Sequence, residues 1–310
     1  MYTTFSQMAF LFLLIAIGYI LVKRNLVPEK TESALSKLEN YIFIPALVMG
    51  TFMNHFTVDK LVAVKDILLG SVILELIVIS ISIVCVRFCT KDKYTRNIYL
   101  YGLCFSNFAF MGNALVSALF PDIFLEYLLF TIVLWAAIYT WGVPFLLLPN
   151  RTGKNSVKES IKAFVNPMFV AMAVGMIIGL LNVPVPSFAN NLVTSLGNCM
   201  SPIAMILTGM TVARKRLFDI LKIKSIYLVT LLRLVVYPLI FIGVARIIHL
   251  PETLAVCALC SLAMPLGLNA IVIPGAYGKD TTVASGMALV SHGLSCITIP
   301  VMFWLLSFIV

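Results

Sequence analysis

The stretch of sequence with the clearest chemical implication is 264–269, which reads Met-Pro-Leu-Gly-Leu-Asn within a long apolar segment. Pro265 removes a backbone N–H donor and clashes with the preceding turn of a helix, and Gly267 lets the backbone unwind. A membrane helix interrupted in this way must have its freed polar groups satisfied inside the protein or at a cavity. The half-helix that restarts near Asn269 presents its positive end there, and this arrangement suits an anion.

A related stretch, 107–114, contains Gly112 between Asn107 and Asn113, without a proline in its core. If both stretches interrupt helices at mid-membrane, two helix N-termini converge on one point, and the asparagines add directed hydrogen bonds. The alternative is a pair of kinked packing helices whose asparagines bond to their neighbours. Two further stretches, 40–45 and 198–202, carry matching proline breaks. The residues predicted to bind substrate are Asn107, Gly112, Asn113, Pro265, Asn269, Pro45 and Pro202.

Two charged residues, Glu75 and Arg233, lie within otherwise apolar segments. At the rise of an α-helix they lie roughly 18 Å and 13 Å from the inner ends of their helices. A lone charge in hydrocarbon is costly, so each needs a partner or water. We predict that Glu75 takes up and releases a proton, and that Arg233 offers its charge to substrate or to Glu75. The alternative is a static ion pair that stabilises the fold.

The amino-acid composition indicates which environment these residues lie in. Hydrophobic residues make up 61% of the chain and charged residues only 11%, whereas soluble domains are about one quarter charged. Apolar stretches of about 20 residues recur, and each is long enough to cross a bilayer. The sequence therefore predicts an all-α integral membrane protein in contact with lipid. We assign the net charge of +9 to loops at the membrane surface and predict no nucleic-acid partner.

The sequence nearly repeats itself at half its length. Leu103 recurs as Leu259 after 156 residues, and Pro45 recurs as Pro202 after 157. Each half, 1–150 and 151–310, then holds five spans, and an odd number makes the second half enter the bilayer inverted. Inverted repeats of this kind are typical of secondary transporters. The predicted spans are about 5–22, 34–53, 61–86, 97–119, 125–147, 163–181, 189–211, 225–248, 253–276 and 283–307.

The distribution of basic residues sets the predicted orientation. Lys60, Lys65 and Arg246 fall in loops on one side, Arg233 lies within a span, and the other 18 of the 22 basic residues fall on the opposite side. Because short loops rich in Lys and Arg stay in the cytoplasm, both termini are predicted to lie outside. The loop near 149–162 is predicted to be the cytoplasmic linker between the halves.

The sequence contains no recognised motif for catalysis or for a cofactor. Cys257 and Cys260 form a single C-x-x-C pair and lack the second pair of ligands that a zinc site needs. Ser291 and His292 are neighbours, but adjacent helical residues point in different directions and do not form a nucleophile–base pair. His292 is predicted to be buried and hydrogen bonded rather than to relay protons. We therefore predict that the protein is not an enzyme and holds no metal or other cofactor.

Several short sequence segments along the chain serve together as family markers. They are Ile44–Leu47, Ser106–Asn107, Met111–Gly112, Leu207–Met210, Met264–Pro265 with Asn269, and Ala276–Asp280. With these markers the chain resembles the auxin efflux carrier family, which includes the plant PIN transporters and bacterial malonate-type permeases. The resemblance runs over nearly the whole chain. It implies ten helices in two inverted five-helix repeats, with a scaffold domain and a crossover domain, in a bacterial inner (plasma) membrane.

The resemblance also implies a substrate site where the fourth and ninth helices cross, and a homodimer. Asn107, Gly112, Pro265 and Asn269 match that crossing by position. Family members usually carry a proline shortly after the glycine of the fourth helix, whereas this chain has Asn113 followed by alanine. The fourth helix is therefore expected to be less sharply broken.

These features together predict a secondary active transporter of a small organic anion, such as a carboxylate, that works by alternating access. Coupling to H⁺ or to Na⁺ stays open. One alternative is a Na⁺-coupled bile-acid-type symporter or a cation/proton antiporter on a related fold, although both interrupted helices lack the acidic ligands expected there. Another is a membrane receptor that binds a ligand without moving it.

Overall fold

The computed structural model describes residues 2–57, 60–148, 167–213, 223–276 and 279–308. The predicted linker at 149–162, the basic residues at 214–222 and the middle of the marker at 276–280 lie outside the described residues. Within the described ranges the chain is helical and contains no strand beyond one isolated bridge. The prediction of an all-α protein is confirmed for this part of the chain.

The described part of the first half forms seven helices, with π-helical and 3₁₀ segments between or after them. They are α1 (Tyr2–Lys23), α2 (Thr31–Leu38), α3 (Ile44–His55), α4 (Lys60–Cys85), α5 (Lys93–Cys104), α6 (Asn113–Leu119) and α7 (Phe124–Ala137). The π-helical segments are Glu39–Phe43, Phe108–Gly112 and Ile138–Leu147, and the 3₁₀ turns are Val86–Phe88 and Pro121–Ile123. Asp92 caps α5 by accepting a hydrogen bond from the Thr95 N–H at 2.7 Å, and this bond lowers the pKa of the Asp92 carboxyl.

The described part of the second half follows a similar order. Its helices are α8 (Pro167–Leu180), α9 (Ser187–Asn198), α10 (Met200–Ala213), α11 (Lys224–Leu231), α12 (Tyr237–Ile248), α13 (Glu252–Ala263), α14 (Asn269–Ala276) and α15 (Thr282–Leu306). A π-helical turn, Leu232–Val236, joins α11 to α12.

Length and composition suit several of these helical stretches to a membrane. Among the described residues, five are long and apolar enough to cross a bilayer: Val64–Phe88, Pro121–Leu147, Ser187–Met210, Lys224–Ile248 and Thr282–Leu306. Shorter apolar helices include Phe12–Lys23, Phe108–Leu119, Pro167–Leu180 and Glu252–Ala263. The count of ten spans and the inverted orientation of the halves stay predictions.

At Pro45 and at Pro202 the helical path continues through the proline. Pro45 has no N–H for the helical bond, and the N–H of Ile44 bonds to the carbonyl of Glu39, five residues back. The result is a π-helical turn that joins α2 to α3. Before Pro202, a single residue, Cys199, separates α9 from α10 and keeps right-handed helical torsions. The two predicted proline breaks are therefore a widened turn and a disturbed turn within continuous helical paths.

Helices of one half pack closely against helices of the other half. Helix α1 packs against α10, and α3 packs against α8. At the centre of the first contact, a Cβ on Gly18 would meet the backbone carbonyl of Ile206. At the centre of the second, a Cβ on Gly175 would lie 2.7 Å from the carbonyl oxygen of Met49. Small residues thus let the backbones approach closely, as is typical of helix pairs in membranes.

These two contacts are reciprocal in sequence. Gly18 and Gly175 are separated by 157 residues, and so are Met49 and Ile206. The same separation relates two residues beyond the ends of α1 and α8, Asn25 and Asn182, which both have left-handed backbones with φ of 52° and 49°. An internal duplication predicts coincidences of this kind in both packing and backbone.

We predict that Gly18→Ala and Gly175→Ala each destabilise the protein by about 1–3 kcal/mol, because the added methyl forces two backbones apart. Thermal unfolding in detergent measures the effect as a lowered melting temperature. Gly243→Ala is the matched control, because nothing lies within 4 Å of a Cβ at that position. Equal melting temperatures for all three variants would contradict the close packing.

Candidate functional site at the helix crossing

Two helices are interrupted deep in the protein, and their extended segments pair with each other. Helix α5 ends at Cys104, where Phe105 turns to extended torsions (φ −115°, ψ 113°). Helix α13 ends at Ala263, where Met264 does the same (φ −70°, ψ 148°). Helical structure resumes only at Phe108 in the first case and at Asn269 in the second.

The two extended segments form a short antiparallel bridge between Ser106 and Leu266. The N–H of Asn107 donates to the carbonyl of Pro265 at 2.7 Å, and the N–H of Gly267 donates to the carbonyl of Phe105 at 3.4 Å. These bonds satisfy backbone groups that the broken helices cannot pair themselves.

The bridge explains the glycine in the ninth-helix motif. A Cβ on Gly267 would lie 2.8 Å from the backbone oxygen of Ser106, so a larger residue would push the two segments apart. The break in the fourth helix covers three residues, against five in the ninth. It is therefore shorter, as expected without the proline, but the backbone leaves the helix completely. It also lies earlier than predicted, because Gly112 belongs to the π-helical turn that follows the break.

Arg233 binds the C-terminal ends of both first half-helices. Its guanidinium donates to the carbonyl of Leu103 at 2.6 Å and to that of Ser261 at 2.7 Å. Its Nε–H donates to the carbonyl of Met264 at 3.4 Å. A cation at the negative end of a helix is favourable, and here one guanidinium group donates hydrogen bonds to the C-terminal ends of two helices.

Hydroxyl groups complete the pairing around the bridge. The Ser106 hydroxyl donates to the carbonyl of Ser261 at 2.7 Å, and the Leu266 N–H donates to the Ser291 hydroxyl at 3.1 Å. The Tyr127 hydroxyl donates to the carbonyl of Phe108 at 2.9 Å. A Cβ on Gly112 would collide with that hydroxyl, so this glycine makes room for Tyr127.

A cavity opens beside the bridge, where the second half-helices begin. The space between its lining atoms is about 260 Å³ with open solvent included, and about 10 Å³ of it is open to the centre of a water-sized sphere, so the cavity is narrow in this conformation. Asn107 and Asn269 both line it, as do the first residues of the helix that restarts at Phe108. Aromatic side chains contribute much of the remaining wall: Tyr101, Phe108, Phe110 and Trp135. No charged side chain occurs among its described lining residues.

Comparison with known families identifies the family of the chain. A family model described as "membrane transport protein" matches residues 3–303 of the 310. The chain belongs to this membrane transport family, the auxin efflux carrier or PIN-like family. The predicted resemblance is thereby confirmed, and transport is the activity of the family. No curated protein matches the chain.

Within this member of the family, the predicted substrate residues occupy different places. Asn107 and Asn269 line the cavity. Pro265 contributes the carbonyl that holds Asn107, and Gly112 packs under Tyr127. The substrate role predicted for all four stays a prediction.

The other three predicted substrate residues lie away from this cavity. Asn113 is buried in the first turn of α6, and its side-chain oxygen has no hydrogen-bond partner among the described residues. Pro45 lies on a helix that packs against α8 and α9, and Pro202 lies on α10. None of the three is among the cavity's described lining residues, so their predicted roles have no contact to support them.

Glu75 is buried near the crossing, apart from the cavity. It is 6% exposed, and its Oε1 has no hydrogen-bond partner within the described ranges. Arg233 influences it electrostatically, but the donors of that arginine are bonded to carbonyl groups. Nearby, the hydroxyls of Ser82 and Tyr237 share a hydrogen bond at 2.9 Å.

Three functional features were missed or only partly visible in the sequence. Trp135 comes from α7, and its apolar surroundings give no sign that it faces a cavity. The carbonyl ligands of Arg233 are backbone atoms, so no side-chain pattern announces them. His292 is buried and hydrogen bonded, as predicted, but its partner is Asn107 of the candidate site. Among the described residues, no group of three or more histidine, cysteine or acidic side chains lies close enough to hold a metal ion.

We predict that Arg233→Met lowers the free energy of unfolding by about 3 kcal/mol or more, because it leaves buried carbonyl groups unpaired at both breaks. Arg233→Lys should cause a loss of unfolding free energy between zero and that of Arg233→Met, since an ammonium keeps the charge but lacks the several N–H donors of the guanidinium. The control is Arg246→Met, at an exposed position in the last turn of α12. Scanning fluorimetry in detergent measures all three. An unchanged melting temperature for Arg233→Met would refute the bridging role.

Proposed function

We propose that the protein is a secondary active transporter of a small organic anion, such as a carboxylate, and that the anion binds in the cavity at the helix crossing. The observation that carries the proposal is the convergence of two helix N-termini, at Phe108 and Asn269, on one enclosed and uncharged space. Membership of a membrane transport family supports transport itself.

Backbone donors at the cavity supply the attraction for an anion. In the helix that restarts at Phe108, the carbonyl of Asn107 receives the N–H groups of Met111 and Gly112. The N–H groups of the three residues before Met111 begin the helix, where an N–H has no intrahelical acceptor, and all three residues line the cavity. Helix N-termini of this kind bind carboxylate and phosphate groups.

The aromatic part of the cavity wall indicates which kind of anion would fit there. Trp135 stacks on Tyr139 with ring centroids 5.6 Å apart, and Phe108 meets Trp135 edge to face at 5.3 Å. Rings held in this way offer a flat apolar surface. The cavity therefore suits an anion that carries an apolar part, more than a compact ion with charge on every side.

The packing supports rigid-body alternating access. Helices α1 to α3 and α8 to α10 pack with one another, while α4 to α7 and α11 to α15 pack around the crossing. The two groups meet where α1 touches α6 and α15, where α10 touches α6, α15 and the turn Phe108–Gly112, and where α3 touches α7. Movement of one group against the other would open the cavity to each side in turn.

Three further parts of the proposal rest on sequence alone. Both termini are proposed to lie outside a bacterial inner (plasma) membrane, because the basic residues concentrate in loops on the other side. The halves are proposed to be inverted repeats. A homodimer remains an expectation from the family resemblance.

The proposed coupling ion is H⁺, with Na⁺ as the second candidate. Glu75 is the proposed proton carrier, because its carboxyl is buried with one oxygen unpartnered within the described ranges. A cation symporter or antiporter would need acidic ligands at the broken helices, and the described cavity lining has none. A receptor without transport is separated from a carrier by counterflow of labelled anion, which only a carrier supports.

We predict that Asn107→Ala and Asn269→Ala each reduce anion uptake into liposomes at least tenfold, because each removes a directed hydrogen bond worth about 1.5 kcal/mol to a charged group. Asn40→Ala is the matched control, since Asn40 bonds only within its own helix, to Ser36. Pro265→Ala should also reduce uptake by loosening the bridge. Normal uptake by both asparagine variants in folded protein would reject the cavity as the substrate site.

We predict that Glu75→Gln changes the pH dependence of the uptake rate, because glutamine keeps the shape of the carboxyl but cannot exchange a proton. Uptake of labelled anion is measured in liposomes across a pH series. The control is Glu252→Gln, at an exposed position in the first turn of α13. If Glu75→Gln retains both the rate and the pH profile of the wild type, Glu75 has no part in coupling.

A further inference from the structure

His292 contacts Asn107, one of the residues that line the candidate substrate site. It lies on α15, is 3% exposed, and its Nε2 is 3.1 Å from the side-chain Nδ2 of Asn107. Its other ring nitrogen, Nδ1, is 2.7 Å from the backbone oxygen of Ala288, one helical turn earlier. Both ring nitrogens are thus engaged, one by the helix and one by a residue that lines the cavity.

The carbonyl of Ala288 decides which ring nitrogen carries the proton. A carbonyl oxygen can only accept, so Nδ1 carries a proton, and because the amide Nδ2 of Asn107 can only donate, the ring is the neutral Nδ1–H form. Nε2 is then a bare acceptor, and it receives a hydrogen bond from the amide Nδ2 of Asn107. The ring therefore fixes the orientation of the Asn107 amide, which the shape of the side chain alone does not.

This orientation is unfavourable for an anion. Nδ2 is directed at His292, so Oδ1 is the branch of the Asn107 amide that remains for a ligand in the cavity that Asn107 lines. An oxygen acceptor repels a carboxylate. Protonation of His292 at Nε2 would turn that nitrogen into a donor, and the Asn107 amide would have to rotate by half a turn to accept from it. The NH₂ group would then face the cavity.

The surroundings of His292 make its cationic form depend on a bound anion. Helix α15 packs against α1, α5, α10 to α14 and the turn Leu232–Val236. The buried ionisable side chains on these elements are neutral phenols and thiols together with one cation: Tyr99, Tyr101, Cys104, Tyr237, Cys257, Cys260 and Arg233. Their other charged side chains within the described ranges lie at helix ends, and the single acid among them is the exposed Glu252. A buried imidazolium here has no internal counter-charge.

We propose that His292 is a positioning residue that couples a proton to anion binding. The neutral Nδ1–H ring holds Asn107 with its oxygen toward the empty cavity. Uptake of one proton from water at Nε2 reverses the Asn107 amide, which then donates to the anion while the imidazolium balances its charge. Anion and proton bind together, so each favours the other. The inference rests on the proposed function and adds a second titrating group to Glu75.

The first test needs no substrate. Full-length protein with ¹⁵N-labelled histidine is reconstituted in lipid, and the ring signals of His292 are assigned by their loss in His292→Gln. We expect a neutral ring with the proton on Nδ1, and a shifted Nε2 signal in Asn107→Leu, which removes the donor. A proton on Nε2, a ring already cationic at neutral pH, or an Nε2 signal unmoved by Asn107→Leu would overturn the pairing.

The second test measures equilibrium affinity for benzoate and butyrate, which stay ionised from about pH 6 to about pH 8. One proton taken up per anion predicts that affinity rises about tenfold for each unit of falling pH. His292→Gln should bind with little pH dependence, because an amide takes up no proton. His249→Gln, at an exposed position just after α12, leaves the cavity intact and should keep the wild-type slope.

The outcomes separate this inference from the proposed function. A wild-type protein that binds either anion with no pH dependence, or a slope that persists in His292→Gln, overturns the coupling by His292. If neither anion binds at any pH, the proposed function fails for these anions, and the ring signals still decide whether His292 holds Asn107.

Discussion

Unpaired backbone groups inside a bilayer are the constraint on which this structure depends. Two helices stop deep in the protein, and each break frees N–H and carbonyl groups that lipid cannot satisfy. The bridge between Ser106 and Leu266 pairs those in the extended segments. Arg233 binds carbonyl groups at the ends of both first half-helices. What remains are the N–H groups at the starts of the second half-helices, and these meet the cavity.

The polarity of the helices thus divides the crossing into two chemical sides. The negative ends have a permanent protein cation in Arg233, and Glu75 is buried within its electrostatic reach. The positive ends have no protein anion among the described lining residues and are open to a ligand. The anion that we propose to bind in the cavity would be the counterpart, at the positive helix ends, of Arg233 at the negative ends.

The sequence could predict the ninth-helix break and the presence of asparagines beside it, because Pro265 and Gly267 have backbone properties that no neighbour can change. It placed the fourth-helix break too late, since that break is set by pairing with the ninth helix and not by a local breaker. Proline alone was a weaker guide: Pro45 and Pro202 widen or disturb helices that continue. The roles of Arg233 and His292 depend on contacts with distant backbone and amide atoms, which residue spacing does not encode. The internal repeat stays a prediction from the sequence, and the reciprocal glycine contacts are what such a repeat would produce.

Cross-linking of the two extended segments tests the central claim most directly. Residues 106 and 266 face each other in a pair flanked by the bonds Asn107 N–H to Pro265 and Gly267 N–H to Phe105, an arrangement with about 4.5 Å between Cα atoms. This distance suits a disulfide. In protein lacking its native cysteines, Ser106→Cys combined with Leu266→Cys should form an intramolecular disulfide under mild oxidant, detected by mass spectrometry, while each single variant forms none. A folded double variant that stays fully reduced would contradict the crossing.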